Sequence, residues 1–247
     1  KVDVVSSALD FILPFEKYKI TAGAKVSFTN TRNGINYDTS DPTLVQDDYF
    51  RYKEQIYALY ADYSREFSER FSMQLGLRME HTRTTGISEA KDTEDKHDYT
   101  RLFPTVYLLY SPTDGHALNF SFSNRISRPS HNMVNPFPFY QNKYTYACGR
   151  EDLKPSYTYN AELGYTLKNN FNVSAYYSYS DDVFFQVVDL DAETNVTSFL
   201  WENFMQTHAF GLNNSYTFRT KWLQTYAQHG VSYRRTTSSA ATTSPEE

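Results

Sequence analysis

Between Phe71 and Met79 the chain alternates without a break: Phe71, Met73, Leu75, Leu77 and Met79 are set against Ser72, Gln74, Gly76 and Arg78. A period of two puts successive side chains on opposite faces of an extended strand, so one face here is wholly apolar and the other wholly polar. The strand begins after the abrupt polar turn Glu66 to Arg70 and runs out into the hydrophilic stretch from Thr82 to Asp98. A short turn at one end and a long loop at the other is the template against which every other segment is tested.

Most segments fit it. The first strand spans Val2 to Leu13 and turns at Pro14 to Lys17; the second, Tyr18 to Phe28, sets Ile20, Ala22, Ala24 and Val26 against Lys19, Thr21, Gly23 and Lys25. A polar loop from Asn30 to Lys53, with turn formers Asn33-Gly34 and Asp41-Pro42, precedes the Tyr57 to Tyr63 strand. Past the Thr82 to Asp98 loop come Leu102 to Tyr110, apolar on both faces, the Ser111 to Gly115 turn with its Pro and Asp-Gly, and Leu118 to Ile126. The longest loop, Ser127 to Pro155, is rich in Pro and aromatic residues. Tyr157 to Leu167 follows, then a turn at Lys168 to Asn170 and Phe171 to Tyr179, continuing past Asp181-Asp182 to Val188. Asp189 to Asn195 reverses the chain into Thr197 to Phe218, with a break expected near Asn203, and Trp222 to Tyr233 closes a set of about ten strands.

Short turns at Pro14, Phe67, Pro112, Lys168 and Thr220 thus alternate with long loops at Asn30, Thr82, Ser127 and Asp189. Transmembrane barrels have short periplasmic turns and longer outer loops, an order that a soluble β-sandwich has no reason to keep. No apolar run approaches the ~18 to 20 residues of a membrane helix, so a spanning structure has to be a barrel. Composition agrees: aromatic residues make up 17%, with 22 Tyr and 18 Phe, yet the mean hydropathy is -0.63, as expected when each strand is half polar. Tyr at strand ends, such as Tyr18, Tyr110 and Tyr179, suits interfacial girdles. Arg78, Glu80, Glu162, Arg125 and Lys25 all fall on polar faces, so they are expected to face the lumen. The expected class is all-β, an antiparallel up-and-down transmembrane barrel, with residues 1-235 as wall and 236-247 as a polar tail or loop start.

Several stretches resemble, in order, the TonB-dependent receptor family of outer-membrane β-barrels of Gram-negative bacteria. They are Asp10-Phe11-Ile12-Leu13-Pro14-Phe15, Ile20-Thr21-Ala22-Gly23-Ala24-Lys25, the Phe50 to Ala58 segment, Gly76-Leu77-Arg78-Met79-Glu80-His81-Thr82 and Leu102-Phe103-Pro104. Most specific is Asn124-Arg125-Ile126-Ser127-Arg128-Pro129, followed by Asn135-Pro136-Phe137 and Leu153-Lys154-Pro155. The resemblance spans roughly residues 8 to 233. It departs at Cys148-Gly149-Arg150-Glu151-Asp152, where the family has Gly-Asn-Pro. It implies an outer-membrane location, a barrel of about 22 strands filled by an N-terminal plug, and nutrient uptake energised by a TonB-type protein, in places with a surface lipoprotein. On that reading the chain is a fragment: the plug and the remaining strands lie outside it. Lys1 to Asp10 has no apolar core or small-residue cleavage site of a secretory signal.

Enzymatic chemistry finds little footing. The sequence has no Gly-x-Ser-x-Gly elbow, His-Glu-x-x-His pair, Walker loop or dinucleotide fingerprint. His81, His97, His116, His131, His208 and His229 show no metal-ligand spacing, and the single Cys148 excludes an internal disulfide. Asp189-Leu190-Asp191-Ala192-Glu193 begins like a calcium loop but lacks its glycine, so it reads as an acidic turn. With a net charge of -5 and scattered Lys and Arg, nucleic acid is excluded as a partner. No cofactor, metal or catalytic set is expected. Phe137, Phe139, Tyr140, Tyr144 and Tyr146 are candidates for a ligand platform at the outer mouth, against simple loop packing. Arg125 and Arg128 are expected to order that loop. Two alternatives to a receptor are a small ten-stranded outer-membrane hydrolase using Asp95, His97 and His131, and a barrel that scaffolds partner lipoproteins.

Overall fold

A computed structural model describes residues 1–36, 47–88 and 92–238. Ten long strands form one antiparallel wall: β1 (Val2–Pro14), β2 (Tyr18–Asn36), β3 (Asp47–Ser68), β4 (Phe71–Ser88), β5 (Thr93–Tyr110), β6 (His116–Ser127), β9 (Ser156–Leu167), β10 (Phe171–Asp191), β11 (Val196–Arg219) and β12 (Gln224–Ser238). Each pairs with the next in sequence. The Ser127 to Pro155 loop is not structureless: it holds a helical turn, α1 (His131–Val134), and a small hairpin, β7 (Phe139–Asn142) with β8 (Thr145–Cys148). β8 adds to the upper part of β11 in parallel, whereas β12 holds the lower part of the same strand. Among the described residues β1 and β12 do not pair with each other, so the sheet is open.

The alternation sorts the two faces as expected. Leu77 is 50% exposed on the outer face while Glu80 is 8% exposed on the inner one. Leu59, Leu102, Leu163 and Phe210 lie uncovered on the outside like Leu77. The outer girdles are measurably spaced. From Tyr18 to Phe28, Phe67 to Tyr57, Phe71 to His81 and Phe218 to His208 the count is ten residues each, starting at the short-turn end. Ten residues at about 3.3 Å and about 40° of tilt rise roughly 25 Å, the height of an outer-membrane apolar band. The upper girdle is knit by ring contacts: Phe28 with Tyr57 and Tyr57 with His81, Tyr159 with Tyr179 and Tyr179 with His208.

Strand ends differ from expectation. β2 and β3 run on to Asn36 and back from Asp47, and β4 and β5 pair through Ser88↔Thr93, so the expected Asn30 and Thr82 loops shrink to the tips of long hairpins. Above the membrane the outer face of a strand meets water instead of lipid, while the inner face is covered by the loop after β6. Thr, Asp and Lys side chains therefore stop reporting on pairing while the backbone ladder continues. Asp41-Pro42 lies outside the described residues. The last strand reaches Ser238, past the expected wall limit at residue 235, and 239–247 lie outside the described residues. The break expected near Asn203 is a pair of register shifts within a continuous β11: against Val183 of β10 the ladder slips on both sides, Phe204 is passed over between Met205 and Asn203, and Asp182 takes a positive φ of 51°.

The core lies on the inner face of this upper extension. Phe50 of β3, 1% exposed, packs with Val134 of α1 and Leu153, with Tyr52, Met133, Phe184 and Trp201 around them. The loop after β6 thus folds inward over the wall.

Candidate functional site

Segment 128–155 is fastened to the inner wall at both ends and along its length. At its start, Arg128 Nη2 donates to Glu80 Oε2 at 2.6 Å and to Thr82 Oγ1 at 3.2 Å, with Glu54 Oε2 3.7 Å from Arg128 Nε. Glu80 also accepts from Arg78 Nε at 2.6 Å. Two arginines therefore flank one carboxylate. These charge-assisted bonds are strong because the side chains are largely withdrawn from water.

At the far end, Asn203 of β11 acts as a clamp. Its Oδ1 accepts from Lys154 N at 2.8 Å, and its Nδ2 donates to Lys154 O at 2.9 Å and to Asp182 O at 2.7 Å. The left-handed Asp182 presents that carbonyl. In between, Thr93 Oγ1 donates to Glu151 Oε1 at 2.7 Å, and Arg150 bridges Asp152 and Glu202. The bond to Asp152 raises the Arg150 pKa further, with burial acting against it. Gly149 sits where a side chain would strike the Asn135 and Met133 carbonyls, and its N–H donates to Asn135 O at 2.7 Å. The departure at Cys148 to Asp152 therefore keeps a glycine where the two backbones meet.

A cavity of about 70 Å³ remains between loop and wall, lined among others by Tyr52, Glu54, Tyr99, Arg128 and Leu153. It has space for a few waters and not for a nutrient. Lower on the inner wall, Tyr60, Asp62, Arg78, Glu80, Asn124 and Arg125 border an open recess of about 460 Å³, large enough for a small molecule or an inserted side chain. Tyr60 hydroxyl donates to Asp10 across Gly23, and Arg78 lies over the Tyr60 ring at 5.4 Å. Glu162 faces the same lumen further round, beside Asn119, Gly164 and Asn172.

The five loop aromatics do not share one surface. Phe137 is 3% exposed and packed inside the loop. Tyr140 and Tyr146 face each other across the β7–β8 hairpin, with ring centroids 5.7 Å apart. Phe139 and Tyr144 stand out in solvent, with Lys143 over the Tyr144 ring. Of the two arginines, Arg128 contacts the wall, whereas Arg125 lies exposed in the recess with no ion pair among the described residues. Asp95 Oδ2 lies 2.8 Å from His97 Nε2, which also meets Glu151 O at 3.1 Å; His131 on α1 shares no hydrogen bond or ion pair with either among the described residues. Asp191 accepts from the Glu193 and Thr194 amides and from the Thr194 hydroxyl, an Asx-type turn. Glu54, Tyr52 and Tyr99 are not singled out by the sequence, and Asn203 only as the place of an expected break. The available signal for the first two was parity, since Tyr52 and Glu54 share the inner face of β3 with Phe50.

The model of the outer membrane protein beta-barrel family matches residues 1–246. No curated protein matches the sequence. Among solved structures, the copper transporter OprC superposes with a TM-score of 0.70 at 13% identity, over 96% of this chain and 38% of its own. The FrpB iron transporter from Neisseria meningitidis gives 0.63 at 14%, over 98% and 37%. The ferric enterobactin receptor PfeA from Pseudomonas aeruginosa gives 0.63 at 15%, over 92% and 35%. The chain therefore spans a little over a third of the length of the structures it resembles. At these identities the likeness is one of fold, and it is the fold of an outer-membrane wall with outward-facing apolar residues. With the family match covering almost every residue, the chain belongs to the outer membrane protein β-barrel family.

Proposed function

We propose that the chain is part of the wall of a TonB-dependent outer-membrane receptor that takes up a nutrient, and not an enzyme. The observation that carries this reading is the inward-folded segment 128–155, fastened by Arg128 and Asn203 over a polar inner wall. A loop fastened over the inner wall gives a receptor a fixed surface against which cargo can be held. The titles of the similar structures name copper, iron and ferric enterobactin for those proteins. A metal ion or chelate is therefore the first class of cargo to test.

In this reading the recess around Arg78, Asn124 and Arg125 faces the plug, and the exposed Phe139 and Tyr144 meet cargo at the outer mouth. A TonB-type protein supplies the energy and a surface lipoprotein is a further partner. The hydrolase alternative lacks support, because His97 lies against Asp95 and a loop carbonyl while His131 shares no hydrogen bond or ion pair with either among the described residues.

The experiment is uptake of labelled copper and ferric chelates by cells carrying the full-length protein, with and without a protonophore. Uptake that stops when the proton gradient is dissipated supports the receptor. Uptake that continues at the same rate identifies a passive pore and overturns it.

A further inference from the structure

β6 and β9 meet the long loop at Ser127 and Ser156, whereas β10 runs on upward to Asp191. Its ladder with β9 stops at Asp181↔Tyr157, and from Val183 to Asp191 it pairs only with β11 among the described residues. The amides and carbonyls on the other side of 183–190 therefore form an open edge, with no backbone bond to it among the described residues. Phe185 lies six residues and Leu190 eleven beyond Tyr179 of the upper girdle. At about 3.3 Å per residue and about 40° of tilt that is a rise of roughly 15 to 28 Å. The edge stands in water, above the lipid that accounts for exposed apolar residues lower on the wall.

It is nevertheless apolar on both faces. In Val183-Phe184-Phe185-Gln186-Val187-Val188-Asp189-Leu190 only Gln186 and Asp189 are polar. Such a run suits a strand that is covered on both faces and flanked by two neighbours. Phe184 packs against the core, but Phe185, Val188 and Leu190 are 59%, 63% and 63% exposed. Charge adds a second, independent signal. From Asn169 to Thr207 the chain has six Asp or Glu and no Lys, Arg or His. Asp191 is held by its own turn and Glu202 by Arg150, whereas Asp189 and Glu193 have no ion pair among the described residues. The residues outside the described ones carry a single cation, Lys91.

We propose that the upper edge of β10, residues 183–190, is a docking strand for an extended segment of a partner protein outside the cell, one in which Lys or Arg alternates with apolar residues. The partner's backbone completes the ladder on the open edge. Val188 and Leu190 share one face of β10 and take its apolar side chains; Phe185 and Asp189 share the other, where its cations meet the carboxylate and the ring. The site needs only the orientation of the wall, with its short turns on the periplasmic side. It stands whether or not the protein transports anything.

The test uses the full-length protein in nanodiscs of zwitterionic lipid and a fluorescent peptide of alternating Lys and Val, with binding read by anisotropy. A Glu–Val peptide of the same length and a Lys–Val peptide with methylated backbone amides, which cannot complete a ladder, should both fail to bind. Asp189→Asn with Glu193→Gln removes two exposed charge pairs and should weaken binding roughly 2- to 30-fold. Val188→Lys places a charge on the edge strand and should abolish it. Wild-type protein carries an independent arm: the Lys–Val peptide should slow hydrogen exchange in 183–190 and leave α1 and β8 unchanged. No saturable binding, equal binding of either control peptide, folded variants that bind as wild type, or slowing confined to residues outside 183–190 overturns the proposal.

Discussion

Arg128, one residue beyond the end of β6, reaches back to Glu80 on β4 at 2.6 Å, a contact 48 residues apart in sequence. It sets where the longest loop begins to fold inward. Arg128→Ala leaves Glu54 and Glu80 beside each other without their shared cation, in a partly buried setting where removing one partner costs about 3 kcal/mol. The expected result is a barrel that still assembles but exposes segment 129–155. Hydrogen exchange across α1 and β8 should quicken while exchange in β9 and β10 stays unchanged. Slow exchange throughout the loop would show that Arg128 is not its anchor.

The second fastening gives a different forecast. Asn203 satisfies three backbone groups with one side chain. Asn203→Leu keeps the volume but leaves the Lys154 amide and the Lys154 and Asp182 carbonyls to find other partners, at about 1 to 3 kcal/mol for unsatisfied groups. Asn203→Asp should restore the bond to the Lys154 amide alone. A thermal-melting series should therefore rank wild type above Asp and Asp above Leu; equal melting temperatures would remove the clamp from the account.

Much of the wall was legible from sequence, and the two fastenings show why the site was not. Alternation is imposed on every membrane-spanning residue by lipid on one side and water on the other, so Leu75, Leu77 and Met79 declare their face without knowledge of neighbours. Once strands leave the membrane that constraint ends. Thr84, Thr85, Lys96 and Asp98 look like loop residues yet remain in register. The Phe50, Val134 and Leu153 core joins β3 to two points of the 128–155 loop, and none has a local pattern announcing the others. Asn203, where composition suggests a break, is polar because it holds a loop.

On the inner wall, aromatic rings cover glycines of neighbouring strands. Tyr176 lies over Gly211, its direct partner on β11, and a side chain at that glycine would strike the Tyr176 ring. The same holds for Tyr60 over Gly23. Gly211→Val should displace Tyr176 and cost about 1 to 3 kcal/mol, the usual penalty for overpacking. Gly211→Val with Tyr176→Ala should recover part of that loss. Gly86→Ala is the control, since its added methyl meets only the Phe50 ring edge at ordinary contact distance. Unfolding in urea from lipid vesicles measures all three. A double variant no better than the single would place the strain elsewhere.

Leu75 and Gln74 are neighbours with opposite surroundings. Leu75 lies four residues above Phe71 on the outer face, near the middle of the apolar band bounded by Phe71 and His81. Gln74 pairs with Ser64 and Tyr107 on the inner face. An arginine at the midplane facing lipid costs about 2 to 4 kcal/mol, and the same residue facing the lumen is solvated by water or by whatever fills it. Leu75→Arg should therefore lower barrel stability by about that amount, and Gln74→Arg by much less. A register slip of one residue would exchange the two outcomes, because it carries every side chain to the other face. Spin labels at the two positions give a second reading: oxygen dissolved in the bilayer should relax the label at 75 faster than the label at 74. Equal penalties would remove the assignment of faces, and a larger penalty or faster relaxation at 74 would mean that the lipid-facing side of β4 is the one carrying Gln74, Gly76 and Arg78.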